Sequence, residues 1–230
     1  MSAVQHGDSN NISSGTTSIT VPAGGGAPQE NQLVILSIGV LDPPAGLTVT
    51  PPLSTNSWSL IDIHSAGTDY AQYIYWHAIS GSETGSAPRF TFTFNFSVSA
   101  TAVAVIYQNT CTQSESPCST NNESPILDLT TGTETASDSV SETSVINVQS
   151  GGVATCAFGT SNDEIGFEDA PASPTMLNFQ TGNDGTNAGL NLYDRRETTT
   201  TTDGPWQATL PEGATGDNVA QCVSVLPVGF

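Results

Sequence analysis

Hydrophobic and polar residues alternate along residues 89–108, whose sequence is RFTFTFNFSVSATAVAVIYQ. Phe90, Phe92, Phe94 and Phe96 fall on every second position and are separated by threonine or asparagine. Because successive side chains of a β-strand point to opposite faces, this order predicts a strand with one aromatic face and one polar face. The small residues that follow predict a turn into a second strand, so we interpret the stretch as a β-hairpin. We expect the four phenylalanines to point into the core.

The same two-residue period recurs in short runs along the rest of the chain. Glycine, proline and asparagine separate these runs, and no segment keeps the 3.6-residue period of a helix. The pattern predicts an all-β protein, a jelly-roll-like antiparallel β-sandwich. The runs are LVILSIGV, WSLIDI, YAQYIYWHAI, TSVINV, GVATCAFG, LNLYDRR and VAQCVSVLPV.

Two halves of the chain, at about 16–109 and 125–230, show similar orders of strands and turns. The offset between them is roughly 120 residues, which favours duplication of a four-strand unit. The likeness lies in the pattern and not in residue identity, so chance similarity between two runs of strands is the alternative. A four-strand unit alone would leave one face uncovered, so we expect a single domain over 16–230. Residues 1–15 are polar and predict an N-terminal arm.

The charge balance is strongly acidic. The chain has 22 acidic and three basic residues, Arg89, Arg195 and Arg196, and a formal net charge of −19. Such a surface repels phosphate, which argues against nucleic acid and anionic membranes as partners. Salt screens the self-repulsion, so the composition favours a saline habitat. An ordinary acidic extracellular protein is the alternative, because only 11% of the residues are charged.

The four cysteines show no metal-binding spacing and indicate disulfides or buried thiols. Cys111 and Cys118 bracket the polar loop CTQSESPC, which predicts a local disulfide. Cys156 and Cys222 lie in apolar runs that the half-to-half correspondence makes neighbours, and a second disulfide or two buried thiols both fit there. The N-terminal sequence lacks the basic and apolar regions of a secretory signal. Disulfides without a signal favour a protein released by lysis, such as part of a virus particle.

The order ITVPAG, QLVILSIGV, PPAGLT and AVAVIYQN is similar to a β-sandwich domain of tailed viruses of bacteria and archaea. The chain departs from that pattern at QENQ, where a Gly-Asp turn is usual, and in its cysteine loop. The resemblance implies a virion surface or tail-associated structural protein, and its motifs are structural and not catalytic. The matching segments are 21–24, 33–40, 43–48, 102–109, 151–159 and 220–228.

No motif for a serine nucleophile, a zinc protease or a phosphate-binding loop is present. The histidines His6, His64 and His77 are scattered, so no catalytic residue is assigned. A hydrolytic pairing of His64 with Ser65 or Asp62 is the weaker alternative, since any serine-rich chain offers such triplets.

The loop SNDEIGFEDAPASP gathers four carboxylates, which suit calcium although the spacing is not that of an EF-hand. A solvated acidic loop is the alternative, and no other cofactor is expected. Several aromatic residues raise the question of a sugar-binding face, but their split between strand faces favours core positions. The carboxylates are Asp163, Glu164, Glu168 and Asp169, and the aromatic residues are Trp58, Tyr70, Tyr73, Tyr75 and Trp76.

These observations predict a non-enzymatic virion structural protein that decorates the outside of a capsid, in a virion or extracellular location. Its expected partners are other virion proteins, such as the major capsid protein, and further copies of itself in a homo-oligomer. Met1, Val4 and Ile12 of the arm are the expected assembly contacts. The alternatives are a carbohydrate- or receptor-binding tail module and a subunit of an extracellular filament.

Overall fold

The computed structural model describes residues 2–6, 12–22, 28–84, 88–108, 124–141, 144–162, 179–180, 189–210 and 214–227. These residues form antiparallel β-strands and one short 3-10 turn, Gly81–Glu83. The prediction of an all-β fold is therefore confirmed. Within the described ranges, no helix has the length and apolar character needed to cross a membrane.

Sheet I is built from the first seven strands. Its order is β1-β7-β3-β6-β5, and β2 and β4 also pair with β7. The strands are β1 (Ser2–His6), β2 (Ile12–Pro22), β3 (Leu33–Leu41), β4 (Val49–Thr50), β5 (Ser59–Ala66), β6 (Tyr70–Ala78) and β7 (Arg89–Gln108).

Sheet II is built from later strands in the order β12-β13-β11-β16-β8. Two small pairs accompany it, β10 with β14 and β9 with β15. The strands are β8 (Ile126–Ser137), β9 (Ser139–Ser141), β10 (Ile146–Val148), β11 (Val153–Thr160), β12 (Phe179–Gln180), β13 (Gly189–Arg196), β14 (Thr201–Asp203), β15 (Gln207–Thr209) and β16 (Gly216–Val225).

The predicted hairpin over residues 89–108 is wrong, because β7 is one continuous strand of 20 residues. The small residues that we expected to turn are instead paired with β3, where Leu41 lies opposite Ser99 and Gly39 opposite Thr101. Phe90, Phe92 and Phe94 are buried as predicted, whereas Phe96 is 40% exposed. Phe96 falls where the ladder between β2 and β7 is interrupted, so the alternation of faces no longer places it in the core.

The two sheets share a core made by one face of each. Tyr107 and Trp76 of sheet I and Leu192 and Val223 of sheet II all lie in it. The other face of β3 and β6 is covered by β2 and the first half of β7, since the ring centroids of Tyr75 and Phe92 are only 5.2 Å apart. The outer face of sheet II is covered by the β9–β15 and β10–β14 pairs.

The central strand of each sheet has corresponding neighbours. In sheet I, β3 lies between β6 and β7, and in sheet II, β11 lies between β13 and β16. Cys156 of β11 and Cys222 of β16 are directly opposite each other, which confirms that their strands are neighbours. A disulfide joins these two cysteines, which are 66 residues apart in sequence.

Tyr70 fits closely between the two sheets. It is fully buried, and its hydroxyl donates to the carbonyl oxygen of Gly189 at 3.4 Å. Gly39 of β3 and Gly159 of β11 face this ring from opposite sheets, and a Cβ on either glycine would overlap the tyrosine hydroxyl. The absence of side chains at these two positions therefore allows the sheets to close over Tyr70.

We predict that Gly159→Ala destabilises the protein by about 1 to 3 kcal/mol, because the interior has little room for an added methyl group. Chemical denaturation monitored by fluorescence would measure the loss. Tyr70→Phe removes one of the atoms that the new Cβ overlaps, while the overlap with Gln72 Oε1 and with the ring remains, so the double variant should lose somewhat less than the sum of the two single variants. Strict additivity, or an unchanged midpoint for Gly159→Ala, would contradict this packing.

Candidate functional site

A groove runs along one margin of the structure, between the edge strands of the two sheets. In the part of the chain that the structure describes, β5 pairs only with β6, and β8 pairs only with β16. These two edge strands also contact each other across the space between the sheets. Among the described residues, the shared core is therefore uncovered along this margin.

The groove has a volume of about 710 Å³ and is lined by leucines from both strands. Leu60 of β5 is 47% exposed, and Leu127 and Leu129 of β8 are 39% and 36% exposed. Behind them, Trp76 is part of the shared core, and partly buried side chains pack against that core. The lining residues are Ser59, Leu60, Ile61, Trp76, Ser124, Ile126, Leu127, Asp128 and Leu129.

The groove carries little charge for a chain with 22 acidic residues. Asp128 is the one acidic residue among its lining residues. Its Oδ1 accepts from the backbone N–H of Leu129 at 2.9 Å, and its Oδ2 accepts from Asn147 N at 2.9 Å and Asn147 Nδ2 at 2.7 Å. These hydrogen bonds occupy the carboxylate of Asp128, and the lining of the groove is more polar than apolar, so the arrangement suits docking through backbone and neutral polar contacts as well as the leucines.

A buried polar cluster surrounds His77 at the end of β6. His77 is fully buried, stacks on Trp58 with ring centroids 4.5 Å apart, and places Nε2 at 2.9 Å from Glu83 Oε2. Burial opposes the charged form of Glu83, but hydrogen bonds from Ser80 and His77 outweigh burial and lower its pKa. The Ser80 hydroxyl donates to Glu83 at 2.7 Å rather than to His77, so the cluster holds the 80–84 turn and is not a nucleophile–base pair.

His64 is half-buried and shares with Asp62 the face of β5 that looks toward sheet II. Its Nδ1 is 3.7 Å from Asp62 Oδ2, and that oxygen also accepts from Gln221 Nε2 of sheet II at 3.0 Å. Ser65 is the next residue along the strand and therefore points to the opposite face. These positions do not bring the alternative hydrolytic triplet together. The side chain of His6 lies outside the described residues.

A second buried cluster joins the two sheets. The Tyr107 hydroxyl lies 2.7 Å from Thr155 Oγ1 and donates to Asp194 Oδ2 at 3.0 Å. Asp194 is only 7% exposed, and this burial raises its pKa to about 6 although the hydrogen bond from Tyr107 opposes the shift. The cluster therefore places a titratable carboxyl at the contact between the sheets.

Most of the predicted site residues lie outside the described residues. These are Met1, Cys111, Cys118, Asp163, Glu164, Glu168 and Asp169. The proposed calcium ligands and the local disulfide therefore stay predictions. Within the described ranges, no group of three or more histidine, cysteine, aspartate or glutamate side chains could hold a metal ion.

The segment predicted as an arm contains paired strands. Val4 lies in β1 and Ile12 in β2, and both strands pair with β7 of the same chain. Ser2 lies opposite Gln108, and Ile12 lies opposite Ala100. Contacts of these residues with neighbouring molecules stay a prediction.

The aromatic residues considered for sugar binding are largely in the core, as their spacing indicated. Four of the five are no more than 6% exposed, and the fifth, Trp58, is partly buried beside Phe90 and Phe92. The leucine groove was missed by sequence reasoning, because its walls come from strands about 65 residues apart. The local signal was the alternation in WSLIDI, which contains Leu60. The four aromatic residues are Tyr70, Tyr73, Tyr75 and Trp76.

Comparison of the chain with protein-family models, curated proteins and solved structures finds no match. The function is therefore argued from the chain's own geometry. The feature that carries most weight is the open, weakly charged groove between β5 and β8.

We predict that Asp194→Asn changes how stability depends on pH. Burial in the folded protein favours the protonated form of this carboxyl and raises its pKa from the ordinary value of 3.8 to about 6. Its stabilising contribution is present below pH 4 and is lost as pH rises to about 6, a change of roughly 2 to 3 kcal/mol.

The measurement is the unfolding free energy of both proteins at intervals from pH 4 to pH 7. Subtracting the variant's curve from the native curve should leave a decrease over this range. Asp138→Asn, which alters an exposed carboxyl, is the matched control. A difference curve that is flat, or that rises with pH, would show that Asp194 is not the group responsible.

Proposed function

We propose that this protein is a non-enzymatic structural protein of a virus particle, and that it decorates the outer surface of a capsid. The resemblance to virion surface and tail-associated domains supports this proposal. The buried clusters around His77 and Asp194 support it as well, because both clusters hold strands, loops and sheets together. The major capsid protein, other virion proteins and further copies of the chain are the proposed partners.

The observation that carries the proposal is the groove between β5 and β8. A protein of net charge −19 has few means of binding an acidic lattice through ion pairs. Arg195 is already engaged, with Nε at 2.8 Å from Glu197 and Nη1 at 3.0 Å from Asp203. Exposed leucines in a weakly charged groove give the chain a docking surface that needs no ion pairs.

The finer architecture belongs to the same proposal. We treat the protein as one jelly-roll-like sandwich over 16–230 that arose by duplication of a four-strand unit. The corresponding neighbours of β3 and β11 support this view. A symmetric oligomer fits the symmetry axes of a capsid, and calcium in the 163–169 loop would offset local negative charge.

An extracellular filament is the second candidate function, and the position of β1 favours it. β1 lies at the end of sheet I opposite β5 and pairs with β7 near its last residue. A short edge strand near the start of a chain can be donated to a neighbouring molecule, which links subunits in a row. Strand exchange would make assembly depend on residues 2–6 and not on the groove.

We predict that virus particles carrying the protein release it when ionic strength falls. Lowering sodium chloride to about 0.1 M lengthens the screening distance to about 10 Å, so repulsion between acidic surfaces grows. Sedimentation of the particles, followed by quantification of the free protein, gives the fraction released. Calcium at equal ionic strength should retain more protein than sodium if cations bridge the surfaces.

The variants separate the two candidate functions. Leu129→Glu should weaken attachment to particles, whereas Val145→Glu, at an exposed position outside the groove, should not. Deletion of residues 1–15 tests the filament. If low salt strengthens attachment and both Leu129→Glu and the deletion leave it unchanged, the proposed decoration role is wrong.

A further inference from the structure

We propose that the two short strand pairs on the outside of sheet II form a cover that gates the disulfide between Cys156 and Cys222. The cover consists of β9 with β15 and of β10 with β14. An external dithiol reaches the two sulfurs only while this cover is open. The gating goes beyond the proposed role in a virus particle and does not depend on it.

The disulfide lies on the face of sheet II that points away from sheet I. Cys156 and Cys222 are both 0% exposed, and they belong to a different apolar cluster from the core that the two sheets share. The next residues along their strands, Ala157 and Val223, face sheet I instead. A thiolate must contact a sulfur atom in order to attack it, so an external dithiol has no access to this bond in the closed protein.

Apolar side chains from both pairs of the cover bury the disulfide. They lie in the same cluster as its two cysteines, and each of them is no more than 1% exposed. Strands β9 and β10 also contact β16, which carries Cys222, and β10 contacts β11, which carries Cys156. The cover therefore lies between the two sulfurs and solvent. The side chains are Val140, Ile146, Val148 and Ala208.

The cover is held by fewer backbone pairs than the sheet beneath it. Each pair of the cover has three paired positions, whereas β11 has eight with β13 and eight with β16. Local opening of a protein requires the least free energy where few hydrogen bonds and contacts are broken. The cover should therefore open while sheet II stays intact.

Two polar contacts fasten the β10–β14 pair to sheet II. At the edge of the sheet, Asp128 of β8 accepts from Asn147 N at 2.9 Å and from Asn147 Nδ2 at 2.7 Å. On the other side of the disulfide's strands, Arg195 of β13 donates from Nη1 to Asp203 Oδ1 of β14 at 3.0 Å. Hydrogen bonds to a charged group are stronger than those between neutral groups. Loss of either contact should therefore raise the fraction of time for which the cover is open.

The redox step is thiol–disulfide exchange. A thiolate of dithiothreitol attacks one sulfur and forms a mixed disulfide, while the other sulfur leaves as a thiolate that takes a proton from water. The second thiolate of the reagent then displaces the remaining cysteine, which is protonated in the same way. Two electrons pass to the protein, which gains two thiols, and the reagent becomes a cyclic disulfide. Formation of the bond by the reverse exchange needs the same access, so the bond forms before the cover closes.

Reduction of the full-length native protein by dithiothreitol tests the gating. Samples are quenched with an alkylating reagent, and mass spectrometry of the peptides that contain Cys156 and Cys222 gives the rate. Asp128→Ala should speed reduction about tenfold, because the cover loses two hydrogen bonds to a carboxylate. Asn147→Ala removes one of the two and should give a smaller increase. Asn147 is exposed, so this variant keeps the test valid if Asp128→Ala does not fold.

Asp62→Ala is the matched control. Asp62 also accepts a hydrogen bond from another element, Gln221 Nε2 at 3.0 Å, but this contact lies between the two sheets and not at the cover. The rate of reduction should stay within about twofold of that of the unsubstituted protein. The unfolding free energy of every variant is measured in parallel. In the unsubstituted protein, amide hydrogen exchange should be faster in β10 and β14 than in β11 and β16.

Three results would overturn the gating. Reduction of the native protein as fast as that of the unfolded chain would show that the sulfurs are reached without any opening. Rates that follow the unfolding free energies of all three variants, or reduction only where the whole protein unfolds, would show that global unfolding and not the cover controls access. Equal rates for Asp128→Ala and Asp62→Ala, or exchange in β10 and β14 as slow as in β11, would show that the cover does not open separately.

Discussion

The structure depends on two sheets closing over one core, and that closure requires small residues where Tyr70 packs beside the shared core. Tyr70 fits against Gly39 of sheet I and Gly159 of sheet II, so the sheets meet without a gap at this point. Nearby polar contacts then cross between the sheets, such as Gln72 Nε2 donating to the carbonyl oxygen of Ala157 at 3.1 Å. Buried polar groups need partners, so these contacts also specify how the sheets align.

The same packing explains why the proposed docking surface lies where it does. The sheets are closed at the Tyr70 cluster, whereas among the described residues the shared core reaches solvent at the margin where β5 and β8 end their sheets. An edge of this kind is a liability for aggregation unless it is charged, bulged or covered. β5 has a bulge beside Leu60 and carries Asp62 and His64, which limit indiscriminate pairing. The leucines remain exposed, which favours binding of a specific partner over nonspecific association.

The sequence predicted local patterns well and long-range arrangements less well. A period of two places Phe90, Phe92 and Phe94 on a buried face, and the correspondence of halves places Cys156 beside Cys222. The continuity of β7 could not be read locally, because β3 supplies the hydrogen-bond partners that keep small residues extended. The groove was beyond local patterns as well, since exposure of Leu60 and Leu129 depends on how the two sheets align.

The most direct test of the central claim is electron cryomicroscopy of particles that carry the protein. The account predicts that the margin formed by β5 and β8 faces the neighbouring virion protein. It also predicts that the opposite margin, formed by β1, faces solvent. A particle in which the leucine groove is open to solvent and β1 makes the contact would contradict the account.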